Sequence, residues 1–242
     1  MSPTYEEIES GIHSDDAMLR FDWSRRMDFI PTHEQAERGL TDPEWSIRLE
    51  WVRRLDFTPT PEQIERGLKD SHHDVRQAWV ERMDWTPSSE QIENGLNDMD
   101  YSVVLAWIKR MDWTPTPEQV ERGLSDKDFI ISLAWVTRKD FTPTPEQVAR
   151  GLQNSQYGIR RAWAKRMDWT PTPEQVDQCA MECHLSVLEQ WLKRPDIVWT
   201  TEHIQRGLQH SDASIRRAWK RMLQRQYHNV SEFSDSMIIQ GI

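Results

Sequence analysis

The chain has 242 residues, a formal net charge of −10, and charged side chains at 29% of its positions. This acidic balance favours solubility and argues against non-specific binding to nucleic acid or membranes, and no apolar run approaches the roughly 20 residues of a membrane span. With two cysteines and no signal-peptide pattern at its start, the sequence favours a reducing, cytoplasmic location.

One tryptophan recurs every 28 residues along the chain, and repeats 1–8 are numbered after it. The members of this column are Trp23, Trp51, Trp79, Trp107, Trp135, Trp163, Trp191 and Trp219. Such a period is typical of stacked units that bury their apolar faces against their neighbours. We predict one elongated domain over residues 1–223 and a C-terminal tail or cap over residues 224–242. Met237–Ile239 in this tail would cap the stack or pair two chains as a homodimer.

Each repeat begins with a helix start signal. In repeat 3 the segment Thr60–Gln63 reads Thr-Pro-Glu-Gln, which places a capping residue, a first-turn proline and a capping-box glutamine in order. The glutamate recurs in all eight repeats, from Glu6 to Glu202, and we expect these charges to form a solvated outer face. Gly67 recurs in seven of eight repeats, which predicts either a positive φ at the helix end or a close contact between helices.

A second helix starts near Asp70 and is predicted to run through Trp79 to about Met83. At 100° per residue, one apolar arc of this helix contains Val75, Ala78, Trp79, Arg82 and Met83. We therefore predict that the tryptophan column is core. Pro87 then prevents the helix from continuing.

The start of this second helix resembles a known repeat family. Leu68-Lys69-Asp70, followed after four residues by Val75-Arg76-Gln77-Ala78, resembles the HEAT-repeat signature Leu-x-Asp-x4-Val-Arg-x-x-Ala. The Thr-Pro start is also similar to the leucine-rich-repeat variant family, whose repeats are shorter. The resemblance implies an all-α fold, a right-handed α-solenoid of eight two-helix, HEAT-like repeats. It implies no activity, because HEAT-like families serve as scaffolds, transport receptors, nuclease inhibitors and DNA glycosylases.

The same resemblance implies a ladder of ion pairs between neighbouring repeats. Asp42 with Arg48 and Asp70 with Arg76 are the residues that fit this role.

A second pattern is read from this sequence itself and not from the resemblance. In repeats 1–7 an arginine precedes an aspartate by two residues, from Arg26 to Arg194. In repeat 8 both are replaced, by Met222 and Gln224, where no further repeat follows. We interpret these arginines as structural links between consecutive repeats, because unpaired cations inside the apolar arc would be costly.

Recognition in a solenoid falls to exposed positions that differ between repeats. We expect the columns of Asp74, Gln77 and Glu81 to face a partner on the concave side. The basic members of the Glu81 column are Arg25, Arg53, Lys109, Lys165, Lys193 and Arg221. The Gln77 column changes from apolar to basic side chains, with Phe21, Leu49, Leu105 and Leu133 followed by Arg161 and Arg217.

Repeats 4 and 5 have second helices that are apolar nearly all round. Val104 and Ser132 stand there in place of the ladder arginine. A helix without a polar face is either fully buried or in contact with a partner. The two interpretations are tighter internal packing and a protein-contact patch around Leu105, Ile130 and Leu133.

Repeat 7 departs from the pattern with Cys179 at the glycine position, followed by Cys183 and His184. These three groups fall short of the four ligands of a closed zinc site. We expect small buried thiols, no metal and no other cofactor. His72 and His73 are interpreted as a solvated helix start.

No metal-helix motif, phosphate loop or nucleophile elbow occurs in the sequence. The leading hypothesis is a non-enzymatic adaptor or inhibitor, phage- or host-encoded, that grips another protein along the concave helix face. The alternative is binding to nucleic-acid backbone through the basic column, with a steep salt dependence. A HEAT-like DNA glycosylase is the least favoured alternative, with Asp22 beside Trp23 and Glu50 beside Trp51 as its candidates.

Overall fold

The computed structural model describes residues 2–225, and this part of the chain forms helices and loops without a strand. It divides between Thr114 and Pro115 into two compact units. The first unit contains α1 (Tyr5–Ile12), α2 (Ala17–Ser24), α3 (His33–Leu40), α4 (Trp45–Arg53), α5 (Pro61–Gly67), α6 (His73–Glu81), α7 (Ser89–Leu96) and α8 (Tyr101–Lys109). The second contains α9 (Pro117–Leu124), α10 (Phe129–Thr137), α11 (Pro145–Leu152), α12 (Tyr157–Lys165), α13 (Pro173–Ala180), α14 (Leu185–Trp191) and α15 (Thr201–Leu208), and α16 runs from residue 213 to the last described residue.

Each unit is a stack of two-helix repeats. From α1 to α14, each odd-numbered helix packs against the even-numbered helix that follows it, and successive even-numbered helices within each unit pack against each other. In repeat 8 the Trp219 ring of α16 lies against Gly207 of α15. The predicted all-α solenoid of tandem repeats is thereby confirmed. The tail that we predict to cap the stack or pair two chains lies outside the described residues beyond residue 225.

The first helix of every repeat starts with a capping box, as predicted. In α5 the Thr60 side chain accepts a hydrogen bond from the Gln63 backbone, and the Gln63 side chain accepts one from the Thr60 backbone. Gln63 also donates through Nε2 to Glu37 of the preceding repeat at 2.8 Å. The same side chain therefore caps one helix and joins two repeats, a second role that the sequence pattern did not reveal.

The recurrent glycine allows the two helices of a repeat to touch. A Cβ atom on Gly67 would lie 2.0 Å from Nε1 of Trp79, and the other column glycines meet their tryptophans equally closely. None of these glycines has a positive φ. The close-contact interpretation is confirmed, and the alternative of a positive φ is wrong.

The tryptophan column is buried, as predicted, but the second helix is shorter than expected. α6 ends at Glu81, and the next residue, Arg82, has extended φ and ψ of −68° and 129°. This turn away from the helix carries Met83 out of the core, and 62% of its surface is exposed. The prediction that Met83 belongs to the core arc is wrong, because 100° per residue no longer applies there.

The ladder implied by the HEAT resemblance is present, but the pairing differs from the expected Asp42 with Arg48 and Asp70 with Arg76. Each of these arginines binds the backbone carbonyl of that aspartate and forms its ion pair with the aspartate of the next repeat. In the first unit Arg48 donates to the Asp70 carboxylate at 2.7 Å, and its Nη1 donates to the Asp42 carbonyl at 2.8 Å. The equivalent pairs are Arg20 with Asp42 and Arg76 with Asp98 in the first unit, and Arg160 with Glu182 in the second.

The second set of arginines also links repeats, but toward the preceding one. Arg82 forms a bidentate pair with Asp84 and donates to the carbonyls of Val52 at 2.8 Å, Arg54 at 2.7 Å and Phe57 at 3.2 Å. The aspartate orients the guanidinium, and the guanidinium supplies donors to carbonyls that lie outside helical hydrogen bonding. Arginines that bond the preceding repeat in this way include Arg54, Arg110, Arg166 and Arg194.

This direction overturns the explanation for repeat 8. We expect the arginine–aspartate pair to be absent from repeat 8 because no repeat follows it. The arginines bind the preceding repeat, however, and repeat 8 has a preceding repeat to bind. The Met222 side chain is instead buried within the core of the second unit. Arg26, in repeat 1, pairs with Asp28 and lies over the Trp23 ring.

Candidate protein-interaction surface

The predicted basic column is exposed in both units. In the first unit Arg25 and Arg53 both reach the Glu50 carboxylate, at 3.7 Å and 3.0 Å, so two cations share one anion. Lys109 is exposed and has no ion pair among the described residues. The first unit therefore keeps a surplus of positive charge along this column.

The second unit has the larger group of exposed cations. Arg161, Lys165 and Lys193 are exposed and lack ion pairs within the described part of the chain. Arg221 pairs with Glu189 at 2.7 Å. Arg217 donates to the carbonyl of Ala213 at 3.3 Å and to the hydroxyl of Ser214 at 3.1 Å.

The predicted apolar positions are less available than the sequence suggests. Leu49 is only 8% exposed, so its prediction as a contact residue is wrong. Phe21, Leu105 and Leu133 are half-buried, and Leu133 packs against the core of the second unit. These positions are partly buried because the second helices of neighbouring repeats pack against each other. Ile130 is different, because it lies in the first turn of α10 and is 49% exposed.

Aromatic side chains at the start of the second helices join neighbouring repeats, which sequence reasoning missed. Trp45 stacks on His72, the N-cap of α6, with ring centroids 3.8 Å apart. Tyr157 stacks on His184 in the same way at 3.9 Å. His72 is thus a half-buried cap under an aromatic ring, and its interpretation as a solvated helix start is wrong. The sequence contains a signal for these contacts, because Trp45 and Tyr157 occupy the same position of the 28-residue repeat.

Repeat 5 uses its aromatic residue for packing. The Phe129 ring occupies the space beside Gly158, where a Cβ atom would approach it within 2.8 Å. Ser132, which replaces the ladder arginine, is buried. Internal packing therefore accounts for much of the apolar character of α10, while Ile130 still faces outward.

Exposed apolar side chains form a row in the first unit, at the repeat position for which Met83 was predicted to lie in the core. Its members occupy the same position in repeats 1–4, directly after the linking arginine. They are Met27 (68% exposed), Leu55 (73%), Met83 (62%) and Met111 (58%). We call these four residues the apolar row. Internal packing gives no reason for four large apolar side chains to be exposed at one repeat position, and such a group is typical of a binding surface.

The basic column borders the apolar row. Because Arg82 is buried with an extended backbone, its neighbours Glu81 and Met83 point to the same outer side. The same geometry sets Arg53 beside Leu55 and Lys109 beside Met111. At this bordering position Arg53 and Lys109 are basic and Glu81 is acidic. In repeat 1, where α2 already ends at Ser24, Arg25 precedes Met27 by the same two residues.

The second unit does not continue this feature. At the position of the apolar row it has Lys139, Met167, Pro195 and Leu223. Met167 is a large exposed apolar side chain, whereas Leu223 is partly buried against the core of the second unit. The two units thus offer different surfaces, one apolar with a basic border and the other mainly basic.

Clefts recur between adjacent first helices, above the tryptophan. One of about 340 Å³ is lined by Arg48, Gly67 and Trp79, and the equivalent one of about 460 Å³ is lined by Arg160, Cys179 and Trp191. Because the same cleft appears in both units, it reflects the repeat geometry rather than a single specialised pocket.

The two cysteines differ in environment. Burial raises the pKa of the Cys179 thiol to about 12, so it stays protonated at neutral pH. Cys183 is exposed, which corrects the expectation of two buried thiols. Within residues 2–225 no group of three or more His, Cys, Asp or Glu side chains is arranged to hold a metal ion.

The glycosylase candidates are placed poorly for base recognition. Trp23 and Trp51 are buried in the core, so neither ring is free to stack on a base. Glu50 is engaged by Arg25 and Arg53. Asp22 is exposed.

A structural comparison supports the fold. The chain is similar to a solved structure described as a leucine-rich repeat variant with a novel repetitive protein structural motif, with a TM-score of 0.63 and 18% sequence identity over 89% of this chain and 79% of that one. At this identity the likeness concerns the fold alone. No family model matches the sequence, and no curated protein matches it either. Among the described residues, no helix has both the length and the apolar character needed to cross a membrane.

Proposed function

We propose that this protein is a non-enzymatic, cytoplasmic protein-binding solenoid, an adaptor or inhibitor that engages a partner through exposed side chains of its second helices and the turns that follow them. The observation that carries the proposal is the apolar row, in which Met27, Leu55, Met83 and Met111 are all more than half exposed. Exposed methionines suit a binding surface because their flexible thioether side chains adapt to a partner.

The repeat architecture supports this assignment. We propose that the repeats are HEAT-like, since each ladder arginine joins its repeat to the next through a carboxylate, as Arg48 does with Asp70. Such stacks present an extended surface whose divergent positions are free to contact other proteins. The glycosylase alternative loses support, because its tryptophans lie in the core.

The test compares capture of partners by wild-type protein and by variants of the apolar row. Tagged wild-type protein and the double variant Leu55→Asp/Met83→Asp are incubated with nuclease-treated lysate of the source organism. Because both side chains are exposed, we expect unchanged helicity and at least roughly tenfold less captured protein.

Val198→Asp serves as the matched control, since Val198 is 88% exposed but lies outside the apolar row. The control is expected to capture as much protein as the wild type. Equal capture by the double variant and the control would contradict the proposal. Ile130→Asp then measures whether the exposed start of α10 contributes to the same binding.

A second candidate function, binding to nucleic-acid backbone, is favoured by one observation in the second unit. Arg161, Lys165 and Lys193 are exposed and lack ion pairs within the described residues, so they are available to neutralise phosphates. Binding to duplex or single-stranded DNA should then weaken steeply as salt rises. A flat salt dependence, or unchanged affinity in Lys165→Ala/Lys193→Ala, would exclude it.

A further inference from the structure

We propose that the occupant of the apolar row is an amphipathic α-helix of the partner protein, with an apolar seam along the row and acidic side chains beside it. This inference rests on the proposed protein-binding function and specifies the partner's chemistry. It follows from the spacing of the row, the shape that a partner segment needs to match that spacing, and the charges that border it.

The spacing favours a helix. Packed helices lie about 8–10 Å apart, so equivalent residues such as Leu55 and Met83 recur at about that distance along the stack. An α-helix rises 1.5 Å per residue, so positions seven apart are about 10.5 Å apart on the same face. A partner helix along the row would therefore meet successive repeats with every seventh residue.

An extended strand fits the same spacing less well. Three strand residues span about 10 Å, but side chains three apart point to opposite faces. A strand would thus present only every second of its matching side chains to the row. A helix presents one apolar residue to each of Met27, Leu55, Met83 and Met111.

The charges beside the row predict which polar side chains the partner helix carries. Arg53 and Lys109 border Leu55 and Met111, and Arg25 lies two residues before Met27. Arg25 and Arg53 share the single carboxylate of Glu50. The aspartates nearest to the row are already paired, as Asp56 is with Arg54. The unsatisfied charge is therefore positive and complements acidic side chains on the partner.

Glu81 is the acidic exception in this basic border, and its substitution provides a second test of the proposal. It borders Met83 and accepts a hydrogen bond from Gln77 at 2.7 Å. An acidic partner helix would be repelled there. Glu81→Lys should complete the basic border and raise affinity, an effect that misfolding could not mimic.

The experiment selects binders for the full-length protein from a displayed library of helical peptides of about 28 residues, which is longer than the roughly 22 residues that four contacts at seven-residue spacing span. We expect the selected peptides to carry Leu, Met or Phe every seventh residue and a surplus of Glu and Asp. A synthetic representative should bind Leu55→Asp/Met83→Asp about tenfold more weakly than wild type, and Glu81→Lys roughly threefold more tightly. Val198→Asp should leave its affinity unchanged.

The failures of the two proposals are distinguishable. If the selected peptides are neutral, basic or lack the seven-residue spacing, or if no binder emerges, the helix assignment is overturned. The lysate experiment independently reports whether the apolar row binds protein at all. Peptides of the expected kind that bind Leu55→Asp/Met83→Asp as well as wild type would also overturn the assignment, because their site would lie elsewhere.

Discussion

The two units use the same repeat but join their repeats differently. In the first unit all three junctions have the buried or half-buried pair of a ladder arginine with an aspartate, at Arg20, Arg48 and Arg76. In the second unit the pair of Arg160 with Glu182 joins repeats 6 and 7. Ser132 and Leu188 occupy the arginine position at the other two junctions, and both are buried.

This difference shows that the ladder is one of two solutions for the same junction. A buried ion pair must offset the desolvation of both charges, so apolar residues of suitable shape replace it with little loss. Leu188 is completely buried in the core of the second unit. The carbonyl-binding arginines are less replaceable, because their removal leaves several backbone acceptors without donors. Repeat 8 is the exception, with Met222 in that place.

The largest expected effect is the loss of a carbonyl-binding arginine in the first unit. Arg82→Met removes donors from the carbonyls of Val52, Arg54 and Phe57 and leaves Asp84 unpaired. We expect a destabilisation of about 3–5 kcal/mol, measured by urea unfolding. The same residue type is native at Met222, so a cost below about 1 kcal/mol would show that the first unit tolerates the repeat 8 solution as well.

The next largest effect concerns the glycine contact. Gly67→Cys copies the residue found at Cys179, but a Cβ on Gly67 would lie 2.0 Å from Trp79. We expect a loss of about 1–3 kcal/mol from overpacking, whereas Cys179→Gly should change stability less. Urea unfolding of both variants checks this. Equal effects at the two sites would mean that repeat 7 has made no adjustment for its cysteine.

The interchange of the two junction types gives a smaller effect. Arg48→Leu alone leaves the partly buried Asp70 carboxylate without its partner, and we expect a cost of about 2 kcal/mol. Arg48→Leu/Asp70→His copies Leu188 and His210 of the second unit and should recover most of that loss. Chemical unfolding of the single and double variants measures the coupling. A double variant no more stable than the single one would contradict the equivalence of the junctions.

The smallest effect is the response to acid. Hydrogen bonds from Arg82 and Arg110 hold the pKa values of Asp84 and Asp112 below the ordinary value of 3.8. Their stabilisation is therefore complete above the ordinary pKa and is lost as pH falls through the lower folded-state values. We expect the melting temperature to fall below about pH 4. Arg82→Met/Asp84→Asn should flatten this dependence, and an unchanged slope would contradict the assignment.

Much of the fold follows from the sequence because the period is unbroken. The tryptophan column, the capping boxes and the arginine links between repeats were predicted from repeated residues such as Trp79, Gln63 and Arg82. Each depends on local geometry that is renewed every 28 residues. The direction of the second link was not predictable, since spacing alone does not tell whether a side chain reaches forward or backward.

The candidate surface was predictable in its charges but not in its apolar part. Exposed lysines and arginines stand out in an acidic chain. Met83 was assigned to the core because helical periodicity was extended past the end of α6. Leu49 was assigned to the surface because the sequence does not show that neighbouring second helices pack against α4. The extended backbone at Arg82 reverses which side chains face solvent. The change from helical to extended backbone at Arg82 therefore moves Met83 from the predicted core to the surface.

The most direct test of protein binding by the first unit is site-specific photocrosslinking. A photoreactive amino acid is placed at position 83 in the apolar row, and at position 198 in the second unit as a control that is even more exposed. In nuclease-treated lysate of the source organism, we predict a discrete crosslinked protein from position 83 and none from position 198. Absence of a crosslink at position 83, or the same products from both positions, would contradict the claim that the apolar row is a binding surface.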